Sequence, residues 1–89
     1  MEMTFLDVSF RGARPFAAYL RLPRRAGATV ARTVEAEPGI LADLDAQGVV
    51  LGVEIVNPSP ESGAAVRRVL AGLHGPVVAE SEFGPLLAA

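Results

Sequence analysis

The sequence predicts an α+β fold, an antiparallel β-meander of about five strands followed by one packed helix. Three observations carry this prediction. Apolar and polar residues alternate with period two in short segments between residues 4 and 56. Proline and glycine separate those segments at close intervals. After Asn57-Pro58 the apolar spacing changes to that of a helix.

The first segment, residues 4–10, places Thr4, Leu6, Val8 and Phe10 on one side, as a half-buried strand does. Arg11 to Pro15 reads as a turn, and residues 17–22 as a second strand with Ala18, Leu20 and Leu22 on one face. Pro23 ends it, because proline has no N–H to offer a ladder. A loop over residues 24–27 leads to a third strand from about Thr29 to Ala36. Glu37-Pro38-Gly39 then supplies Pro at the fixed-φ position and Gly at the positive-φ position of a type II turn.

Strand four runs from Ile40 to Asp45 and strand five from Val49 to Val56, joined at Ala46-Gln47-Gly48. Two registers fit this hairpin. A loop of Ala46 and Gln47 alone sets Asp43 opposite Val50 and gathers Ile40, Ala42, Leu44, Val49, Leu51, Val53 and Ile55 on one apolar face. A bulge at Gly48 sets Asp43 opposite Leu51 and mixes the faces. The first separates apolar from polar residues better, whereas the turn chemistry favours the second. Gly52, in mid-strand, marks a bulge or close packing by another backbone or side chain.

The helix is expected over residues 59–74. Ser59 serves as N-cap, Pro60 suits the first turn, and Glu61 complements the helix dipole. Val66, Val69, Leu70 and Leu73 form its apolar stripe, and Gly75-Pro76 ends it. Gly63 and Gly72 each cost the helix up to about 1 kcal/mol against alanine, so it needs the sheet to hold it. The tail, residues 77–89, offers an edge strand at 77–79 or trails.

The 89 residues are expected to form one domain. Hydrophobic residues make up 51% and charged residues 20%, an apolar excess that favours self-association, with a homodimer as the default. A net charge of −2 gives no electrostatic reason to expect nucleic acid as a partner. With no cysteine, disulfide, thiolate and Cys-based metal chemistry are excluded. Met1-Glu2-Met3-Thr4 carries no leader pattern, and no apolar run reaches the roughly 18 residues of a membrane span. A cytoplasmic bacterial protein without membrane contact is the resulting expectation; its all-arginine basic set fits a GC-rich genome.

One ordered set of segments resembles a known family. Ala18-Tyr19-Leu20-Arg21-Leu22, Val34-Glu35-Ala36-Glu37-Pro38-Gly39, Asp43-Leu44-Asp45 with Gly48, and Gly52-Val53-Glu54-Ile55 occur in the order seen in domain of unknown function 2283. The resemblance covers about residues 5–57. It departs where Arg14 and Phe16 stand in place of the acids that usually precede the Ala-Leu-Tyr stretch. The family has no established activity to carry over. Its members resemble short accessory proteins, some beside small toxin-like proteins, which implies an antitoxin-like or other partner-binding role.

No catalytic, cofactor-binding or metal-binding motif stands out, so the function expected from sequence is a non-enzymatic interaction module, homodimeric or partner-binding. The alternative is a small-ligand or metal-binding protein using a face formed by Asp43, Asp45 and Glu54, whose carboxylates could serve a hard cation or acid–base chemistry. All three share a face in the two-residue register, whereas the bulge turns Glu54 away. Their bland reading is a solvated face that discourages edge-to-edge aggregation. His74, the one histidine, reads as a helix C-terminal cap, since nothing marks a nucleophile beside it. Arg24-Arg25 and Arg67-Arg68 read as a solvated loop and helix face, and Tyr19 and the phenylalanines as core or interface residues.

Overall fold

The computed structural model describes residues 4–87. Residues 1–3, which enter the reading of a missing leader, and the last two tail residues lie outside the described residues. The elements are β1 (Phe5–Arg11), β2 (Arg14–Arg21), β3 (Arg32–Glu37), β4 (Ile40–Leu44), β5 (Val50–Val56) and α1 (Ser62–Gly72). A 3₁₀ turn (Glu80–Phe83) and a single α-turn (Gly84–Leu87) follow. The five strands form one antiparallel sheet, and the architecture is the α+β one expected.

Strand order is β1-β2-β5-β4-β3, so one connection departs from a strictly sequential meander. The chain leaves β2 at Pro23, crosses to the far edge as β3, and returns through β4 to set β5 against β2. β5 is the most apolar strand, and this order gives it a neighbour on each side. Burial follows: every residue of β5 except Glu54 and Val56 is buried. All three hairpins turn on a glycine at positive φ, the last of them on Gly48 at +85° between β4 and β5. Gly12, at φ +64°, opens the two-residue turn between Arg11 and Arg14, and Gly39, at φ +77°, completes the Pro38-Gly39 turn. The first turn is thus shorter than expected, and Pro15 lies inside β2 beside a bulge, where a missing N–H costs little.

The core occupies one side of the sheet. Leu20, Ala42, Val53 and Ile55 meet Val66, Val69 and Leu70 of α1, and Val78, Phe83 and Leu86 of the tail. The tail therefore neither adds an edge strand at 77–79 nor trails. Among its described residues it packs as two short helical turns. Of the four phenylalanines expected in core or interface, only Phe83 is in the core; Phe5, Phe10 and Phe16 are 40–51% exposed.

Helix α1 begins later than expected. Ser59 does not cap it; Ser59 opens a preceding turn, where its hydroxyl accepts from the Glu61 N–H at 3.3 Å. The Ser59 N–H in turn donates to Ser62 Oγ at 2.8 Å, and the Ser62 N–H to the Ser59 carbonyl at 3.0 Å. Those bonds hold residues 59–62 as a closed turn, so helical geometry starts at Ser62. At the other end His74 caps through its backbone. It takes the left-handed conformation at φ +57°, its N–H donates to Ala71 O, and the Gly75 N–H donates to Leu70 O at 2.8 Å. Gly75 is needed at the next position because a Cβ there would lie 2.7 Å from Val50 Cγ1. Arg68 clamps α1 to β3 by two 2.8 Å bonds to the Glu37 carboxylate. The guanidinium holds that carboxyl below its ordinary range.

Candidate site on the open face of the sheet

The side of the sheet away from α1 is uncovered, and the cross-strand register decides what stands on it. Phe5, Arg21, Gly52, Asp43 and Thr33 lie opposite one another in one row across the five strands. Asp7, Tyr19, Glu54, Leu41 and Glu35 form the next row.

The hairpin register that creates these rows is neither of the two expected. Leu44 pairs with Val50, but Asp43 pairs with Gly52, because Leu51 is bulged out of the ladder. Beside the turn the pairing follows the second expectation, and beyond the bulge it shifts by one more residue. Asp45 is the physical reason at the turn. Its backbone N–H donates to Val49 O, and its Oδ1 accepts from the N–H groups of Gln47 and Val49, each at 2.9 Å. The displaced Leu51 carbonyl accepts from the Leu22 N–H at 3.2 Å and from Arg24 Nη2 at 2.8 Å. Both apolar residues at the start of β5, Val50 and Leu51, are thereby buried. The bulge keeps Val53 and Ile55 on the core side with Ala42 and Ile40, and returns Asp43 and Glu54 to the open side.

The expected acidic trio is therefore divided. Asp43 and Glu54 share the open face, while Asp45 is 4% exposed and committed to its turn. Asp43 is also engaged: Oδ2 accepts from the Tyr19 hydroxyl at 2.8 Å and Oδ1 from the Thr33 hydroxyl at 2.6 Å. No group of three or more metal-ligating side chains occurs among the described residues.

What the site does contain is a tyrosine laid over a glycine. A Cβ at Gly52 would stand within van der Waals conflict of Tyr19 Oη, Cζ and Cε2. The empty Cα position lets the ring cross β5, from β2 to the Asp43 carboxylate on β4. Three neighbouring strands are tied together on their solvent side, as aromatic cover over a strand glycine does generally. The phenol is held above its ordinary range by burial first, then by the hydrogen bond and charge of Asp43; Arg24 opposes both. For a phenol raised in the fold, the associated stability is complete below the unfolded-state pKa. It is lost as pH climbs through the folded-state value. Tyr19 is the single tyrosine and there is no tryptophan, so phenolate absorbance reports it alone. The expected titration midpoint lies above that of a free phenol and moves down in Asp43→Asn. An unchanged midpoint in that variant would remove the carboxylate as a cause.

The remaining candidates resolve differently. His74 borders a hollow of about 400 Å³ with Pro23, Gln47 and Leu73, whose lining offers no nucleophile or second titratable side chain. Of the arginine pairs, Arg68 is bound to Glu37, Arg24 to the bulge carbonyl, and Arg25 to Gln47 Oε1 at 3.2 Å. A shallow depression of about 330 Å³ lies between Asp7, Ser9, Tyr19 and Glu54 on the open face. Sequence reasoning did not connect Tyr19 and Thr33 with Asp43. The available signal was Gly52, which marked a bulge or a close approach; the structure contains both beside it.

A protein-family model, described as a protein of unknown function (DUF2283), matches residues 17–59. The match spans Tyr19, Asp43 and Gly52 together with the two turns that set their register, and it bears out the resemblance read from those segments. Neither a curated protein nor a solved structure matches the chain. Among the described residues no helix is long and apolar enough to cross a membrane.

Proposed function

We propose that this chain, whose residues 17–59 match the DUF2283 family model, is a non-enzymatic interaction module that offers the open face of its sheet to a protein partner. The observation that carries the reading is the asymmetry of the sheet. One face is sealed by α1 and the tail, while the other is left bare and held in shape by the Tyr19–Asp43–Thr33 bonds. Asp7, Glu35 and Glu54 stand on that bare face around Leu41 and Tyr19, with Arg21 in the adjoining row, Arg11 at the end of β1 and Arg24 beside the Tyr19 hydroxyl. A small basic protein suits such a surface, since opposite charge steers encounter and apolar centres supply affinity. An antitoxin-like role is the form of the reading that the family resemblance favours. A homodimer remains the default resting state.

The test is affinity capture from the native cell with two baits, the wild-type chain and Glu35→Lys/Glu54→Lys, paired with the identities of proteins encoded beside it. The expected result is a small basic protein retained by the first bait and lost from the second. Identical retention by both baits would sink the acidic face as the recognition surface.

A further inference from the structure

We propose that β1 is a self-pairing edge, through which two copies of the chain join antiparallel about a twofold axis at Val8, continuing the sheet from one copy into the other. The proposal deepens the interaction-module reading and rests on it. In an antiparallel ladder, alternate residues turn their backbone groups toward one neighbour and then the other. The Leu22 N–H donates to Leu51 O, so the even-numbered residues of β2 face β5 and the odd-numbered ones face β1. Their β1 partners are Phe5, Asp7 and Ser9. The N–H and C=O groups of Leu6, Val8 and Phe10 are left pointing off the sheet.

The two edges of the sheet are unequal. β3 carries Arg32, Glu35 and Glu37 and a bulge, the usual devices against edge pairing. β1 runs for seven residues with Asp7 and Arg11 as its charges. Pairing about Val8 brings Leu6 opposite Phe10 of the second copy and Val8 opposite Val8, giving three fully hydrogen-bonded pairs. On the core side it covers Leu6 and Val8, which are half-buried, and Phe10, which is 51% exposed. On the open side it sets Asp7 opposite Ser9 and Phe5 opposite Arg11. Neighbouring registers are worse. An axis at Asp7 puts the two carboxylates face to face, and an axis at Ser9 leaves Leu6 against Gly12 in the turn. The chosen register also places both open faces on one side of the joined sheet.

Sedimentation velocity and equilibrium on the full chain test this directly. A contact one strand wide is smaller than a standard interface, so a micromolar monomer–dimer equilibrium is expected. Ser9 is exposed and faces Asp7 of the second copy twice, which makes it diagnostic. Ser9→Asp should weaken the dimer about fivefold and Ser9→Lys tighten it by a similar factor, since each cross-strand charge pair acts twice. Val8→Pro, which removes an outward N–H and no bond to β2, should abolish it, with circular dichroism checking that the variant is folded. A dimer indifferent to both Ser9 substitutions overturns the edge. So does a wild-type chain that stays monomeric at high concentration. Either result, together with a partner still captured on the acidic face, leaves the module reading standing.

Discussion

Replacing Phe83 with alanine is expected to cost about 3–4 kcal/mol, the scale for emptying a fully buried aromatic site. The ring has no exposure and lies against the helix at Gly63, where a Cβ would come within 3.0–3.1 Å of its Cγ, Cβ and Cδ2. Gly63 is thus small for packing, and its cost to the helix is offset by the contact it permits. An 11-residue helix with two glycines has little stability of its own. Losing Phe83 therefore loosens the beginning of α1 as well as the tail. A chain of this size has only about 4–13 kcal/mol in total, so the variant should unfold at a much lower urea concentration. Phe83→Leu should cost no more than about 1.5 kcal/mol. Val77→Ala, at a residue 94% exposed, should stay within about 0.5 kcal/mol of wild type. Equilibrium urea denaturation of the three variants checks this. A Phe83→Ala loss below about 1 kcal/mol would mean that the tail does not dock as described.

That docking was not legible in the sequence, and the reason is physical. Val77-Val78-Ala79 has strand-like composition, and no local signal says that Val78, Phe83 and Leu86 will find one cavity between sheet and helix. The helix start shows the same limit in smaller form. Ser59 has the chemistry of a cap, but Ser62 three residues later competes for its backbone and closes a separate turn. The turn at Pro38-Gly39 and the apolar stripe of α1 were legible, because each is written into consecutive residues. The register of the β4–β5 hairpin depends on a side chain acting on its own turn, Asp45, and on a bulge anchored by Arg24 from another loop. Local pattern therefore admitted two registers and selected neither. For the candidate site the sequence identified Asp43 and Glu54, but Asp43 takes its partners from 24 and 10 residues away.

Those partners make Gly52 the position where a single methyl group should matter most on the open face. Gly52→Ala is expected to cost about 2 kcal/mol, the usual range for forcing an added carbon into a closed contact. The clash is with the outer end of the Tyr19 ring, so the backbone need not move; the ring swings off β5 and the Asp43 hydrogen bond is lost. The cost is then a loss of tyrosine cover and of a charge-assisted bond, and it should exist only while the tyrosine is there. In a Tyr19→Ala background the same Gly52→Ala change should be neutral or stabilising by up to about 1 kcal/mol, since alanine loses less chain entropy than glycine in a strand. A coupling of about 2 kcal/mol or more between positions 19 and 52 is the predicted signature, read from a double-mutant cycle in urea. Additive effects would mean that the glycine serves the bulge at Leu51 alone. Coupling would identify Tyr19 and Gly52 as one device, whose bond to Asp43 carries it across three strands on the side that α1 leaves open. If the face binds a protein, the cycle should recur in its affinity. The ring displaced from Gly52 would then stand in the surface that the partner meets.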